Sequence, residues 1–307
     1  MSQAGFFGPL ALAAVLAWAL SWLIPAKPQR PHLFRTSLVL GIPWLAGHLT
    51  ANGLNFFYPP ATGVDWLIFA TAVWMTLSGL AALHSPSVVW RHREAALVAG
   101  TLLLAAGTFY PGQSGLTWLF HKDETPGTRS ALAWAITAGG AGFAGSWILL
   151  ARLLPAWGFH LCAAVLSITL ACTVSAHLGP LWIAAVQALP AAIALGAGTG
   201  SLRQGTAGRV TLPAAGWTGA MLGLPFLWAC ISRSPVGPWQ VLVLLALLPL
   251  VIFILLKPLA ARLHPAGLTL MAAGLLLLGG TALLHFSGLP SEEPLVNRTG
   301  DDSGAYD

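Results

Sequence analysis

His48, Asn52 and Asn55 fall at i, i+4 and i+7 within "GHLTANGLNFFYPP", Gly47 to Pro60. On a helix turning 100° per residue these three side chains share one face, and Ser37 and Gly41 continue the same stripe. An imidazole donates, accepts and takes up a proton near neutral pH, its ordinary pKa being about 6.5. A carboxamide donates and accepts at once. The set is equipped to coordinate a polar solute, with His48 as the switchable member. The bland use of the same residues is interhelical glue, where each hydrogen bond contributes roughly 0.6 kcal/mol.

A second polar stripe places Thr169, Thr173 and His177 at i, i+4 and i+8, with Cys162 two turns earlier. Threonine hydroxyls often bond their own helix backbone, so this stripe has a structural reading beside the solute-binding one. Gln187 stands three residues before Pro190. There it can bond a carbonyl that the proline releases, or face the same cavity as His48.

His121, His177 and His285 carry imidazoles toward one expected membrane face, with Asp123 and Glu124 beside the first. Imidazole and carboxylate suit transition metals, but no HExxH, paired CxxC or regular His spacing accompanies them. No metal site is expected, and no particular cofactor follows from the sequence. Gly112-Gln113-Ser114-Gly115 resembles a nucleophile turn in its letters alone, without the flanking strand and helix that such an elbow needs. The pair His177 and His285 is the one candidate for axial haem ligation.

The elements that must position these residues are membrane helices. Charged residues are 7% of the 307 and hydrophobic ones 56%, whereas soluble domains carry roughly 25% charged residues. A span needs about 20 mostly apolar residues. Ten such runs lie at 5–25, 36–57, 63–83, 94–110, 130–151, 158–178, 180–198, 212–231, 238–256 and 266–287. The fold class expected is therefore all-α, a polytopic integral membrane bundle of about ten transmembrane helices in a single domain, 1–289. A tail at 290–307, acidic and poor in apolar residues, is expected to be disordered.

Loop charge orients the bundle, because Lys and Arg are retained on the cytoplasmic side. Lys27, Arg30, Arg35, Arg91, Arg93, Arg152, Arg203, Arg209, Lys257 and Arg262 fall on one side, and Lys122, Arg129, Arg233 and Arg298 on the other. Both termini are then outside, in the inner or plasma membrane of the cell. Eight of the nine acidic residues agree, Glu94 being the exception. The net charge of +5 is thus inner-face charge suited to anionic lipid, and no nucleic-acid partner is implied. "WRHRE" at 90–94 reads as an interfacial anchor.

The first apolar run has no positive n-region and is followed by basic residues, unlike a cleavable signal peptide. Cys162, Cys172 and Cys230 all fall within spans. The first two are about 15 Å apart by helical rise, too far for a disulfide. In the loop 111–129, Trp118 and Phe120 favour a short interfacial helix.

Ten spans divide into halves of five, 1–153 and 154–289, and an odd repeat length would set the halves in opposite orientations. Span 2 then corresponds to span 7, each with a mid-helix proline, Pro43 and Pro190, beside polar residues. Interrupted helices at matching positions point to a transporter's central site. The expectation is a small secondary transporter or permease for a neutral or weakly polar solute, since no Asp, Glu, Lys or Arg lies mid-span. Its substrate-binding residues would be His48, Asn52, Asn55, Gln187, Thr169, Thr173 and His177. The alternatives are an intramembrane enzyme using His121, Asp123, Glu124, His177 and His285 on a lipid-linked substrate, or a non-catalytic subunit of a membrane complex.

Overall fold

The computed structural model describes residues 3–24, 32–52, 63–83, 98–100, 141–178, 181–203, 210–233 and 239–286. Among the described residues there is no strand. The helices are α1 (Gln3–Leu23), α2 (His32–Ala51), α3 (Gly63–Leu83), α4 (Ala141–Leu153), α5 (Ala156–Thr173), α6 (Leu181–Arg203), α7 (Leu212–Arg233), α8 (Trp239–Leu256) and α9 (Pro265–Phe286). A π-helical turn, Val174–Leu178, prolongs α5, and a 3₁₀ turn, Lys257–Leu259, leads from α8 toward α9. Nearly all the boundaries fall where apolar runs meet loop residues. Pro155 precedes α5 and Pro265 opens α9, positions where a missing N–H costs nothing because the first turn has no intrahelical acceptor for it. Of the expected span 94–110 only 98–100 are described, and these are helical. The segment 90–94, the loop 111–129 and the tail 290–307 lie outside the described residues.

Among the described residues, four helices contain stretches long and apolar enough to cross a membrane: Gly5–Leu23, Ala156–Ala176, Leu181–Thr199 and Pro265–Ala282. The chain is thus an all-helical bundle carrying apolar membrane-type spans. Its outward surface is apolar as well, with Phe7, Val15, Leu80, Ile254, Leu270 and Leu278 all exposed. A contiguous surface of that kind on a water-soluble monomer would be a liability, whereas hydrocarbon solvates it.

Helix α6 is the axis of the bundle. Of its apolar stretch 78% is buried, against 22% for that of α1 and 33% for that of α9. A helix apolar on every side belongs inside, and this one reads "LWIAAVQALPAAIALGAGTG" without a polar face. Lipid offers helices no hydrophobic drive to associate, so contact must come from close fitting. Small residues supply it: Ala184, Ala185, Ala188, Ala191, Ala192, Ala194 and Ala197 are all buried. At Gly196 the backbone of α1 comes so near that an added Cβ would run into the Ala14 carbonyl and the Trp18 nitrogen. Helices α1 and α5 make the most extensive contacts with α6, and α2 and α7 also lie against it.

Residue pairs fix the relative directions. Arg35, in the first turns of α2, donates from its guanidinium to the Ser21 carbonyl at 2.9 Å and to the Ile24 carbonyl, capping the open end of α1. Asn52 Nδ2 donates to Asp65 Oδ1 at 3.1 Å, joining the end of α2 to the start of α3. Thr71 and Trp74 of α3 meet Met221 and Trp217 of α7, so those helices run antiparallel. Phe143 and Trp147 of α4 oppose Gly223 and Gly219 of α7 in the same sense. Ser167 of α5 meets Gln187 and Ala191 of α6 while His160 lies near Gly198, again antiparallel. Gly158 and Leu166 of α5 face Thr269 and Gly280 of α9, which makes these two parallel. Arg35, Arg152, Lys257 and Arg262 therefore gather at one end of the bundle, and Asp65 at the other.

A small-residue seam lies at Gly219 and Gly223 of α7, where an added Cβ would run into Trp147 and Phe143 of α4. Gly142 differs, with no atom within 4 Å of where its Cβ would be. Ala138, which shares its four-residue spacing, lies outside the described residues. The two glycines give a paired test. Gly196→Ala is expected to lower stability by about 1–3 kcal/mol, the usual cost of overpacking a tight contact. Gly142→Ala should leave the thermal midpoint of the purified protein unchanged or raise it slightly, because alanine is the better helix former. Equal midpoints for the two variants would refute the α1–α6 seam.

Candidate functional site

Five helices contain an internal proline: Pro9 in α1, Pro43 in α2, Pro190 in α6, Pro225 in α7 and Pro249 in α8. Each ring removes one backbone donor, and in a dry interior the groups left behind must find partners within the protein. At Pro190 the partner comes from another helix. The Ser167 hydroxyl of α5 donates to the Gln187 carbonyl at 2.7 Å and accepts the Ala191 N–H at 3.2 Å. An uninterrupted helix would pair that carbonyl and that N–H with each other. One hydroxyl thus bridges a rung of the α6 ladder beside its proline.

The Gln187 side chain carries the arrangement onward. Its Nε2 donates to the Leu222 carbonyl of α7 at 2.8 Å. Leu222 adjoins Met221, whose carbonyl is the one Pro225 leaves without its i+4 donor. Gln187 is fully buried, and its Oε1 has no hydrogen-bond partner. The carboxamide therefore bonds a carbonyl near a proline, but in α7 rather than in its own helix.

On the other side of α6, four aromatic rings form a chain through α2, α7 and α3. Trp44 and His48, one turn apart on α2, meet edge to face with centroids 4.7 Å apart. Trp44 meets Trp217 of α7 edge to face at 6.3 Å, and Trp217 stacks on Trp74 of α3 at 5.1 Å and 19°. All four residues are buried, Trp44 and His48 completely. Among the described residues neither nitrogen of His48 has a hydrogen-bond partner, and neither does Nε1 of Trp44, Trp74 or Trp217. Ser78 Oγ, one turn beyond Trp74, and Thr218 Oγ1, beside Trp217, are likewise buried and unpartnered. A buried polar group without a partner costs about 1–3 kcal/mol, and such groups call for an explanation. Here several are concentrated at one junction. No Asp, Glu, Lys or Arg is buried among the described residues, so the junction carries no compensating charge.

The structure separates the two polar stripes. Helix α2 lies directly against α6, with Gly47 seated on Leu189, and His48 belongs to the ring chain just described. Asn52 is half-buried at the end of α2, held by Asp65, and Asn55 lies outside the described residues. Thr169 and Thr173 donate to the Val165 and Thr169 carbonyls of their own helix at 2.9 and 3.0 Å. Thr169 also faces Gly280, placing it on the seam with α9. His177 falls in the π-helical turn. Of the residues set aside for an enzyme, His285 is exposed near the end of α9, and His121, Asp123 and Glu124 lie outside the described residues. Among the described residues no three His, Cys, Asp or Glu side chains come together to hold a metal ion. Cys162 is buried and Cys172 exposed, both as free thiols.

Sequence reasoning passed over Trp44, Trp74, Trp217 and Ser167. Trp44, Trp74 and Trp217 lie inside their apolar runs rather than at the boundaries where tryptophan concentrates, a departure visible in the spacing. Ser167 had no such signal, because its role exists only once Pro190 is beside it. The fold and site define a membrane-type helical bundle with a charge-free polar junction. No protein-family model matches the chain, and no curated protein sequence does either.

The bridging hydroxyl can be tested by a double-mutant cycle. Ser167→Ala should destabilise the protein by about 1–2 kcal/mol. In a Pro190→Ala background, where the helix regains its N–H, the same change should cost measurably less in denaturant-induced unfolding. Additive effects would mean that serine and proline are independent.

Proposed function

We propose that the protein is a small permease or secondary transporter for a neutral or weakly polar solute. In this reading it is a multi-pass protein of the inner or plasma membrane with ten spans and both termini outside. The observation that supports it best is the ring junction, where buried polar groups without partners among the described residues meet on three helices, with no charged side chain buried among the described residues. A purely structural network would be expected to satisfy its own members.

Roles follow from position. His48 is the solute-binding group of the junction and can alternate between donor and acceptor nitrogens. Asn52 continues its face toward the outer end, steadied by Asp65, and Asn55, outside the described residues, is assigned to the same face from its sequence spacing alone. Gln187 ties α6 to α7 and sets the spacing across the junction. Thr169 and Thr173 stand outside this pathway because they bond their own helix, and His177 belongs to the outer end. No carboxylate is buried among the described residues, which favours facilitated passage over a carboxylate proton relay.

The gathering of Arg35, Arg152, Lys257 and Arg262 at one end favours that end as cytoplasmic. The inverted five-plus-five division has mixed support. Helices α2 and α6 run in opposite directions, as the repeat requires. The seam of α1 on α6, however, has no comparable seam of α5 on α2, so the reading does not depend on the repeat.

Access to the junction is the test. In a variant lacking Cys162, Cys172 and Cys230, His48→Cys is expected to react with a membrane-impermeant thiol reagent in proteoliposomes, while Leu278→Cys on the exposed face of α9 stays unlabelled. Protection of position 48 in a folded protein would defeat the transport reading. Where solute flux is demonstrable, His48→Ala should reduce it at least tenfold. Orientation is checked by Ala261→Cys in the connection after α8, which should label only after the cells are permeabilised. Labelling in intact cells would reverse the topology.

A further inference from the structure

The chemistry of the ring junction points to the kind of solute it takes. This step rests on the transport reading above and adds the ligand's class to it. Trp44, Trp74 and Trp217 each present an indole N–H, which can donate and cannot accept. All three are buried, and none has a hydrogen-bond partner among the described residues. Neutral His48 offers one donor and one acceptor, and Ser78 and Thr218 offer hydroxyls of both kinds. Carboxylates are absent from the buried set. The junction therefore holds more donors than acceptors.

We propose that the junction of Trp44, His48, Trp74 and Trp217 binds an uncharged, flat solute through hydrogen-bond acceptors such as carbonyl or ring ether oxygens. An oxygen that accepts from one or two indoles meets a demand the protein leaves open. A cation finds no carboxylate to neutralise it, and a full anion has no lysine or arginine to offset the loss of its hydration. Flatness follows from the walls. Trp217 presents its ring to the face of Trp74 and its edge or face to Trp44, and such surfaces interact best with another planar π-system. Entry requires α2, α3 and α7 to part, and the seam between α2 and α3 is closed at Gly41 by the Met75 thioether. Methionine is the side chain best able to move aside, being unbranched with three rotatable bonds.

Four bicyclic probes of similar size separate the possibilities. Coumarin has acceptors, no donor and no charge; naphthalene has neither acceptor nor charge; N-methylquinolinium is a cation; 2-naphthoate is an anion. The readout is the 19F spectrum of the full-length protein labelled with 5-fluorotryptophan and reconstituted in nanodiscs, with resonances assigned from Trp44→Phe, Trp74→Phe and Trp217→Phe. Coumarin is expected to shift at least two of these three resonances, at a concentration at least tenfold lower than naphthalene. The two ions should shift none of them. At least one Trp→Phe variant, which keeps the ring and removes the N–H, should weaken coumarin tenfold while its response to naphthalene and its thermal midpoint stay as in the parent protein. Equal responses to coumarin and naphthalene would mean a merely apolar slot and overturn the proposal. So would preference for either ion, or no response to any probe. Binding is read here without flux, so this failure is separable from failure of the thiol-access test, which alone bears on transport.

Discussion

A backbone group that loses its partner in a medium without water must be given another by the protein. The Ser167 hydroxyl meets that requirement for α6, standing between the Gln187 carbonyl and the Ala191 N–H beside Pro190. Much of the bundle is arranged around this point. Helix α5 must lie close and in register for a serine to reach the rung, and the alanines of α6 permit that approach. Gln187, freed from capping its own helix, extends the arrangement to α7 through the Leu222 carbonyl. The axial helix is thereby tied on both sides at the level of its proline.

The same shortage of water gives the ring junction its meaning. At a protein surface an unpartnered indole N–H is satisfied by solvent. Between α2, α3 and α7 it is not, and each such group weighs against the folded state by an amount comparable with one good hydrogen bond. The helices nonetheless bring three indoles and an imidazole into one chain of ring contacts. Stacking and edge-to-face contacts, together with burial of the ring bodies, oppose that cost. A surplus of donors in a charge-free setting distinguishes this junction from the α5–α9 seam, where threonines satisfy themselves on their own backbone.

Bonds at the helix ends serve a different purpose. Arg35 closes the carbonyl end of α1, and Asp65 sits in the first turn of α3, where a negative charge is favoured by the helix dipole, while holding Asn52. These contacts set the two hairpins that begin the bundle. The part of the polar stripe nearest the end of α2 thus has an architectural task. His48, one turn further in, makes no such bond among the described residues.

Composition and apolar run length determined most of the fold by themselves. Helices of this kind are dictated by the need to bond every backbone group within one segment, so the described helices lie on runs that could be read from the chain, with α4 described only from Ala141 of the run 130–151 and α2 ending at Ala51 of the run 36–57. Loop charge likewise foretold which basic residues share an end, because alternating hairpins leave little freedom in that matter. The site was only half legible. His48 and Gln187 stood out as polar letters in apolar runs, but a helical stripe says which residues share a face and not which neighbour that face meets. Tertiary packing alone decided that Thr169 turns to Gly280, that Asn52 turns to Asp65, and that Trp44, Trp217 and Trp74 come from three helices into one chain of ring contacts that begins at His48. Those choices depend on which small residues let which backbones approach, and that information is spread over the whole bundle rather than carried by any one segment.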